Sequence, residues 1–563
     1  MGMSYRPLPR YADELLRLQY IVERSNVRLR PSADEPKHWP GPETYHSGLK
    51  VKFLNHHNQN HQASIAKSFA NRRFNDKRLG HLPAVDTLGD VALRVDEWTL
   101  DLVRLYGVDA REHKDADDRR AYEQEIARTL ATPSAMVRRG VFRNKYRIDF
   151  RGRINAIESF NYATADTKRS LFRFAAPDEI TDKGLDWLRM HAANCYGLDK
   201  LSYIERIYWV LQHEQQIEDV FYDPYGSKDF WYRAKRPFAL AAACRELVLA
   251  DNNPKHLTNL PLAYDHTASG FQHLALIGLD SKMAALVNLI KRERPVDVYG
   301  VLARLTELQF DGSPAALLWR EFFNKHRERI RELLKTPGMT FSYAATTSGN
   351  INQILEALYD ILGDVDRERF SFETIGYLVR CFRAVCAEEL PGPVQSMKYI
   401  QSLVKQCYKA GRFLEFMTSS GLYTVNDYPK LNTSKIYLPD VTEYTIADGF
   451  IPGTIRKAKA VSAAAANFVH SLDATRLVRV VNAMAENEMS TLCVHDSYAV
   501  LAPHAEQFHI TNRQELWAMY YEMWERGGPL ALLCEQNGNI GAPPPPPGDF
   551  DIAKVQDATY ACC

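Results

Sequence analysis

The stretch LTNLPLAYDHTASGFQHLALIGL, residues 257–279, runs from one apolar segment into a carboxylate and then into a second apolar segment of different period. The first segment, Leu260 to Tyr264, ends abruptly on Asp265. His266, Thr267, Ala268, Ser269 and Gly270 follow, and Gln272 and His273 open a helix-like pattern. A buried strand that delivers one Asp at its C-terminal end into a tight turn is one way a sheet presents a metal ligand. Asp at a strand end also serves as a helix N-cap or turn former, so Asp265 alone does not separate the two readings.

A second carboxylate stands in STLCVHDSYAVLAP, residues 490–503. Thr491 to Val494 are β-formers, and Val500 and Leu501 resume the apolar pattern beyond His495-Asp496-Ser497. The pattern predicts a β-hairpin with a charged pair at its tip. Hairpin tips favour Asn-Gly or Asp-Gly, so His-Asp-Ser is unusual turn chemistry. Two Asp residues on sheet elements far apart in sequence can together hold two Mg²⁺ ions, which stabilise the attacking and leaving oxygens of a phosphoryl transfer.

The third piece is RIRELLKTPGMTFSYAATTSG, residues 329–349. Arg331, Lys335, Met339 and Tyr343 recur at four-residue steps and drift slowly around one helix face. Two cations followed by an aromatic suit a helix that grips a triphosphate and closes over a base and sugar. An ordinary amphipathic helix with a solvated basic face has the same pattern. Pro337-Gly338 inside it predicts a break, with Pro337 starting a new helical segment.

Composition bounds the rest. A chain of 563 residues is too long for one compact core and implies two or three subdomains. With 45% hydrophobic and 25% charged residues and no apolar run near membrane-spanning length, the expectation is a soluble, cytoplasmic globular protein with no membrane partner. The net charge of +1 confines nucleic-acid contacts to local basic runs: 71–78, 137–140, 290–295 and 324–335. Solvated helix faces produce similar runs. Nine cysteines without a C-x-x-C pair imply reduced thiols. The N-terminus has no secretory apolar region, and Arg6 after Gly2 does not fit myristoylation.

Along the chain, residues 10–24 read as an amphipathic helix, followed by a Pro-rich connector. His56, His57 and His61 cluster without an acidic or Cys companion, so they do not make a metal site. Residues 85–135 are helical in character and read as an exposed hairpin of helices. Alternation in SKIYLPDVTEYTI, followed by Gly449, Pro452 and Gly453, predicts a β-hairpin with a polar rim. Five successive prolines at 543–547 predict a stiff spacer before the last residues.

DFRGR (149–153), YDHTASGFQH (264–273), the Arg331/Lys335/Tyr343 helix, NFVHSLDA (467–474) and VHDSY (494–498) occur in one order. Together they resemble the single-subunit RNA polymerases of bacteriophage and mitochondrial type, over roughly residues 140 to 563. HAANCYGLDKLSYIERI (191–207) is similar to the same family. The resemblance implies an α+β, helix-rich fold of the right-hand polymerase type, with palm, fingers and a short thumb. The implied division is a reduced N-terminal region (1–84), short thumb-like helices (85–140), a first part of the palm with insertions (141–285) and fingers (286–470). The fingers include a specificity-loop-like ribbon at 432–460, and the second part of the palm with a C-terminal foot follows (471–563).

The function the resemblance implies is DNA-templated RNA synthesis by two-metal nucleotidyl transfer from ribonucleoside triphosphates, in phage transcription and so in a host cytoplasm. Carried over residue by residue, Asp265 and Asp496 are the metal pair for two Mg²⁺ ions, and His495 lies beside them. Lys335 and Arg331 hold the phosphates, with Lys200 near the triphosphate tail. Tyr343 lies under the nucleotide and rejects a sugar without a 2′-hydroxyl, helped by His470. Arg151, Arg153 and Lys168 line a segment that contacts the template and the incoming nucleotide or hybrid. Tyr299 helps place the template base. Arg456, Lys457 and Lys459 reach phosphates or bases from the ribbon, and Tyr560 fits the aromatic of the foot.

Implied partners are the DNA template, the RNA product, ribonucleoside triphosphates and a single-strand-binding or promoter-opening protein. The last follows because only about a hundred residues precede the thumb, where the family carries a promoter-binding domain. Four departures stand out: Asn155 replaces a Tyr, His266 and Ala344 each replace a Gly, and Cys562-Cys563 differ from the usual ending. The alternatives are a repair-type DNA polymerase or primase-like enzyme, and a catalytically inactive nucleic-acid-binding subunit. Such DNA polymerases place a Glu shortly after the first Asp and another after His-Asp, where this chain has Thr267–Gly270 and Ser497.

Overall fold

The computed structural model describes residues 81–108, 116–158, 160–341, 345–367, 369–438, 441–451 and 454–563. The helix expected at 10–24, the Pro-rich connector, the histidine cluster, the basic run 71–78, Tyr343 and Ala344 lie outside the described residues.

The helix-rich fold is built around a small antiparallel sheet of three strands, β1 (Leu262–Asp265), β2 (Leu492–Val494) and β3 (Ser497–Val500), in the order β2-β3-β1. Leu262, Ala263 and Tyr264 are buried on both faces of β1, which is why this strand reads as a continuous apolar run rather than an alternating one. The register sets Tyr498 opposite Tyr264 and Ser497 opposite Asp265. Both tyrosines are buried, and such a cross-strand aromatic pair is worth about 0.2–1 kcal/mol. A slip of one residue would turn both rings to the wrong face, so the pair also pins Asp265 beside the hairpin tip. The tip itself is His495-Asp496, with His495 at φ +57°.

Two apolar cores flank this sheet. The first gathers Phe142, Phe172, Trp231, Phe238, Leu262, Tyr264 and Tyr498. The second gathers Phe271, Trp319, Phe323, Leu334, Phe382, Phe468 and Tyr520. Three of the places where the chain crosses from one to the other lie close together in the fold. β1 belongs to the first core, whereas α2 (Ser269–Gly278), four residues on, belongs to the second. α4 (Lys457–Glu486) spans about 45 Å as an ideal helix. It places Phe468 and Leu472 in the second core and Leu477 and Val481 in the first. α5 (Ala505–Trp524) contributes Phe508 to the first core and Leu516 and Tyr520 to the second. At the crossing lies a buried polar layer: His266, Gln272, His273, Asp473, Arg476 and Asn512. Within it Arg476 donates to Asn512 Oδ1 (3.1 Å) and to Gln272 Oε1 (3.2 Å).

Three sequence expectations change or sharpen. The break expected at Pro337 does not form, because α3 runs unbroken from Ile330 to Phe341. Tertiary packing outweighs the lost backbone bond: Pro337 is buried, and a Cβ on Gly338 would lie 2.8 Å from the Tyr299 ring. The charged stretch after residue 115 is one long helix, Ala116–Arg139. The hairpin expected before α4 forms from Leu431–Leu438 and Val441–Phe450. No helix among the described residues is long and apolar enough to cross a membrane.

The last residues return to the centre. Asp265 and Cys563 exchange both backbone hydrogen bonds, at 3.1 and 3.0 Å, and Thr267 N–H donates to Ala561 O (3.2 Å). The Tyr560 ring packs on Tyr203 at 4.6 Å, and its hydroxyl donates to Glu293 O (2.8 Å). The strand that carries Asp265 is thereby braced on its far edge by residues nearly three hundred positions away.

Candidate active site

Asp265 ends β1 and Asp496 precedes the residue paired with it, so the sheet register brings the two carboxylates to one edge. The Asp265 side chain is open to solvent, yet protein surrounds it closely enough that burial raises its pKa against the pull of Arg236 and Lys335. Burial, then the negative charges of Asp473 and Asp265, push the Asp496 carboxyl up to about 8. Carboxylates crowded in this way hold excess negative charge that a bound cation relieves. No group of three or more His, Cys, Asp or Glu side chains forms a metal site among the described residues. A cation here would be held by the two carboxylates together with water or backbone oxygen, the donor set of a hard divalent ion.

His266 replaces the glycine of the resemblance without crowding this edge. Its ring is buried, packs on Tyr498 and accepts from Asn512 Nδ2 (2.9 Å). Burial holds it neutral, with its pKa well below the usual value.

A third carboxylate organises the site from behind, and the sequence did not single it out. Asp473 of α4 accepts from Arg153 Nη2 (2.9 Å) and from Ser269 Oγ (3.0 Å). It faces His273 Nε2 at 3.8 Å, too far for a hydrogen bond. Burial alone would raise its pKa, but neighbouring His273 and Arg153 hold it well below the carboxylate range. The DFRGR turn, the first helix after Asp265 and α4 therefore meet on one charge. Asp149 closes the turn by accepting from the backbone N–H of Arg151 (2.9 Å) and of Arg153 (3.0 Å). Gly152 at its apex has φ +91°, and His81 Nε2 bonds its carbonyl at 3.1 Å. His81 is buried, with its pKa lowered to about 4 by burial. It stands far upstream of the motif it supports, so nothing local in the sequence announces it.

Arg151 is engaged by Asp149 Oδ2 (2.7 Å) and donates to His470 Nδ1 (2.9 Å). Burial and the adjacent Arg153 and Arg151 charges keep His470 neutral, and this bond leaves its proton on Nε2. His495 is neutral for the same first reason, burial.

The cations lie close enough to the carboxylates that Arg236, Lys335, Arg169 and Lys200 all pull on the Asp265 charge. On α3, Arg331 pairs with Asp297 (2.5 Å) through Nε, while Lys335 makes no ion pair among the described residues. Burial, then the charges of Arg331 and Lys235, lower the Lys335 pKa against the pull of Asp265. Lys200 is exposed and held by Asp199 (2.9 Å), which also binds Lys235 (3.2 Å). Lys168 lies in the short helix Asp166–Arg169. Tyr299 is buried against Phe271 and Gly338, and Arg456, Lys457 and Lys459 are exposed at the start of α4. Lys235 was not expected from the sequence, and its place beside Lys200 is visible only through their shared partner.

Comparison with known proteins places this geometry. The family described as DNA-dependent RNA polymerase matches residues 178–525. The chain is 25% identical over 584 residues to the mitochondrial DNA-directed RNA polymerase 1 of Arabidopsis thaliana, covering 94% of this chain and 58% of that protein. It is 27% identical over 493 residues to the mitochondrial DNA-directed RNA polymerase 1B of Nicotiana tabacum, covering 85% and 47%. It is 28% identical over 438 residues to the DNA-directed RNA polymerase of Pseudomonas phage phiKMV, covering 74% and 52%. The chain thus spans about half the length of the curated relatives it matches. Among solved structures, the POL domain of Pol1 from M. smegmatis, in complex with DNA primer-template and dNTP, is 13% identical. Its TM-score is 0.27 with 82% of each chain covered, too loose a likeness to bear on the fold.

Proposed function

This chain belongs to the DNA-dependent RNA polymerase family, and from that premise we propose that it copies a DNA template into RNA from ribonucleoside triphosphates. The observation that carries the reading is the sheet register, which sets Asp265 opposite Ser497 and so beside Asp496, near a Lys335 that makes no ion pair among the described residues. The sheet and its covering helices act as a palm drawn from 141–285 and 471–563. The helices between 286 and 470 act as fingers, with the Leu431–Phe450 hairpin as a specificity ribbon, and those of 85–140 serve as a short thumb.

The triphosphate lies against Lys335, Lys200 and the Arg331 nitrogens left free by Asp297. Bound phosphate supplies the negative charge this cluster lacks, and catalysis of phosphoryl transfer is mostly positioning and charge stabilisation. Two divalent cations, magnesium on the family's chemistry, fit Asp265 and Asp496 and would neutralise the attacking and leaving oxygens. His470, fixed by Arg151 with its proton on Nε2, offers a donor to the ribose 2′-hydroxyl beside Tyr343. Arg153, anchored on Asp473, holds the DFRGR turn at the template side.

The test is primed elongation on a gapped template, with ribo- and deoxyribonucleotides supplied separately. The parent extends with ribonucleotides, and Asp265→Asn and Asp496→Asn each abolish extension while template binding stays near the parental level. Extension by either variant within about tenfold of the parent sinks the two-carboxylate assignment. A parent that prefers deoxyribonucleotides is a DNA polymerase instead.

A further inference from the structure

Beside Asp265 a cavity of about 280 Å³ opens into the first core, lined in part by Tyr162, Arg169, Lys235, Arg236 and Ala263. Ala263 and Asp265 are two residues apart on β1 and point to the same face of the strand, so the cavity adjoins the face that carries the Asp265 side chain. We propose that it binds a phosphate group of the polymerase reaction, with Arg236 as the principal ligand and Arg169 as the second. The inference rests on the polymerase reading above and adds to the phosphate contacts of Lys335, Arg331 and Lys200.

The cavity lining holds more positive than negative side chains. Five ionised side chains line the cavity: Asp166, Arg169, Arg173, Lys235 and Arg236. Arg173 is buried and paired with Asp96 (2.8 Å). Lys235 is paired with Asp199 (3.2 Å). The one carboxylate, Asp166, is occupied at the start of α1 (Pro237–Asn252), where it accepts from the N–H groups of Phe238 (2.9 Å) and Ala239 (3.3 Å). Arg169 lies over the Tyr162 ring and gives only Nε to a carbonyl, that of Tyr162 (3.1 Å). The Arg236 guanidinium makes no hydrogen bond or ion pair with any described residue, although its backbone N–H is fixed on Cys195 O (2.9 Å).

A largely covered guanidinium presents five donors, and leaving them without partners is costly. The Arg236 backbone is held by the Cys195 bond and by its position at the cap of α1. A planar donor fork that lacks a partner and lines a basic cavity matches the oxygens of a phosphate, which accepts two parallel bonds from arginine. Two phosphates of the reaction come near the Asp265 carboxylate. One is a backbone phosphate of the growing strand just behind its 3′ end, and the other belongs to the released pyrophosphate.

Arg236→Gln removes the charge and leaves a neutral polar side chain two atoms shorter, and the parent guanidinium makes no bond among the described residues that the change would break. Arg236→Lys restores the charge without the fork, and Arg169→Gln tests the second ligand. Two measurements separate the sources. The first is the pyrophosphate concentration dependence of the reverse reaction, with the pyrophosphate-induced rise in melting temperature as a readout that needs no activity. The second is dissociation of a primer–template from the protein, with and without a methylphosphonate at the last strand phosphates. Arg236→Gln is expected to weaken one of the two by about tenfold, with Arg236→Lys recovering part of the loss and Arg169→Gln losing less. Loss of pyrophosphate affinity alone identifies the leaving group. Faster strand release that the methylphosphonate reproduces in the parent identifies the growing strand. Both measurements within twofold of the parent for Arg236→Gln and Arg169→Gln overturn the proposal. If the parent itself fails to extend a primer, the function reading falls, while the melting-temperature comparison still decides whether the cavity binds phosphate.

Discussion

Asp473→Asn perturbs the charge on which the two cores and the DFRGR turn meet. The parental carboxylate is buried, receives Arg153 at 2.9 Å and Ser269 at 3.0 Å, and leaves His273 at 3.8 Å. Removing one member of a buried ion pair costs ~3–5 kcal/mol because the other charge is left uncompensated. Asparagine keeps the shape and one oxygen, so the bonds fall from charge-assisted to neutral rather than vanish, and the expected loss is about 2–3 kcal/mol. Arg153→Met in the same background removes the stranded cation. The double variant should therefore be about as stable as Asp473→Asn alone, a coupling of roughly 2 kcal/mol. The assay is urea unfolding of the four proteins of the cycle, followed by hydrogen exchange at residues 269–273 and 471–476 to place the loss. Single-variant losses that add to within ~0.5 kcal/mol would refute the hub. The pH dependence supplies a second check. The folded pKa of Asp473 lies below its unfolded value of about 3.9, so its contribution is complete above that pH and is lost as pH falls through the folded value. The gap between parent and Asp473→Asn should be widest near neutrality and close in acid.

Gly152→Ala places a Cβ 2.8 Å from both His81 Nε2 and Leu422 Cδ2 at φ +91°, and should cost about 2 kcal/mol by thermal unfolding and slow elongation with it. A melting temperature equal to the parent's would show that the turn relaxes freely. Tyr343→Phe keeps an aromatic under the sugar and removes the hydroxyl, so the ratio of ribo- to deoxyribonucleotide incorporation should fall while ribonucleotide use changes little. An unchanged ratio means that His470, or another group, makes the choice.

What the sequence made legible was local. A continuous apolar run ending on Asp265 and β-formers flanking His495-Asp496 are period and turn signals, and both carboxylates lie where those signals place them. The alternating ribbon before α4 follows the same logic and forms its hairpin. What remained hidden depends on pairing across the chain. Asp473 reads as one more helical carboxylate until Phe468, Leu472 and Leu477 around it are seen to be buried, which leaves it no solvent face. Arg236 is not marked by any motif, and only the fold shows that Asp166 spends its oxygens on the α1 backbone and leaves the guanidinium without a hydrogen-bonded carboxylate among the described residues. Pro337 carries a strong local signal that loses to Tyr299, which stands 38 residues upstream and packs against Gly338.

The hidden residues share a location, and the location explains their chemistry. Asp265 ends a strand of the first core, and Ser269 starts a helix of the second. Asp473 falls between Leu472 of the second core and Leu477 of the first. Asn512 falls between Phe508 and Leu516 in the same way. Where three chain segments change core together, apolar packing cannot be continuous, and the gap is filled by side chains whose hydrogen bonds are directional. Their cost is met only if every partner keeps its place. A layer of that kind is indifferent to how each core is packed internally but sensitive to how the two are set against each other. The carboxylates that would hold the cations are fixed to the first core through β1 and β3. Lys335 is fixed to the second through α3. The distance between the proposed metal site and the proposed phosphate grip is therefore a property of the seam, and substitutions in the polar layer should alter nucleotide affinity and turnover together even where they touch neither ligand.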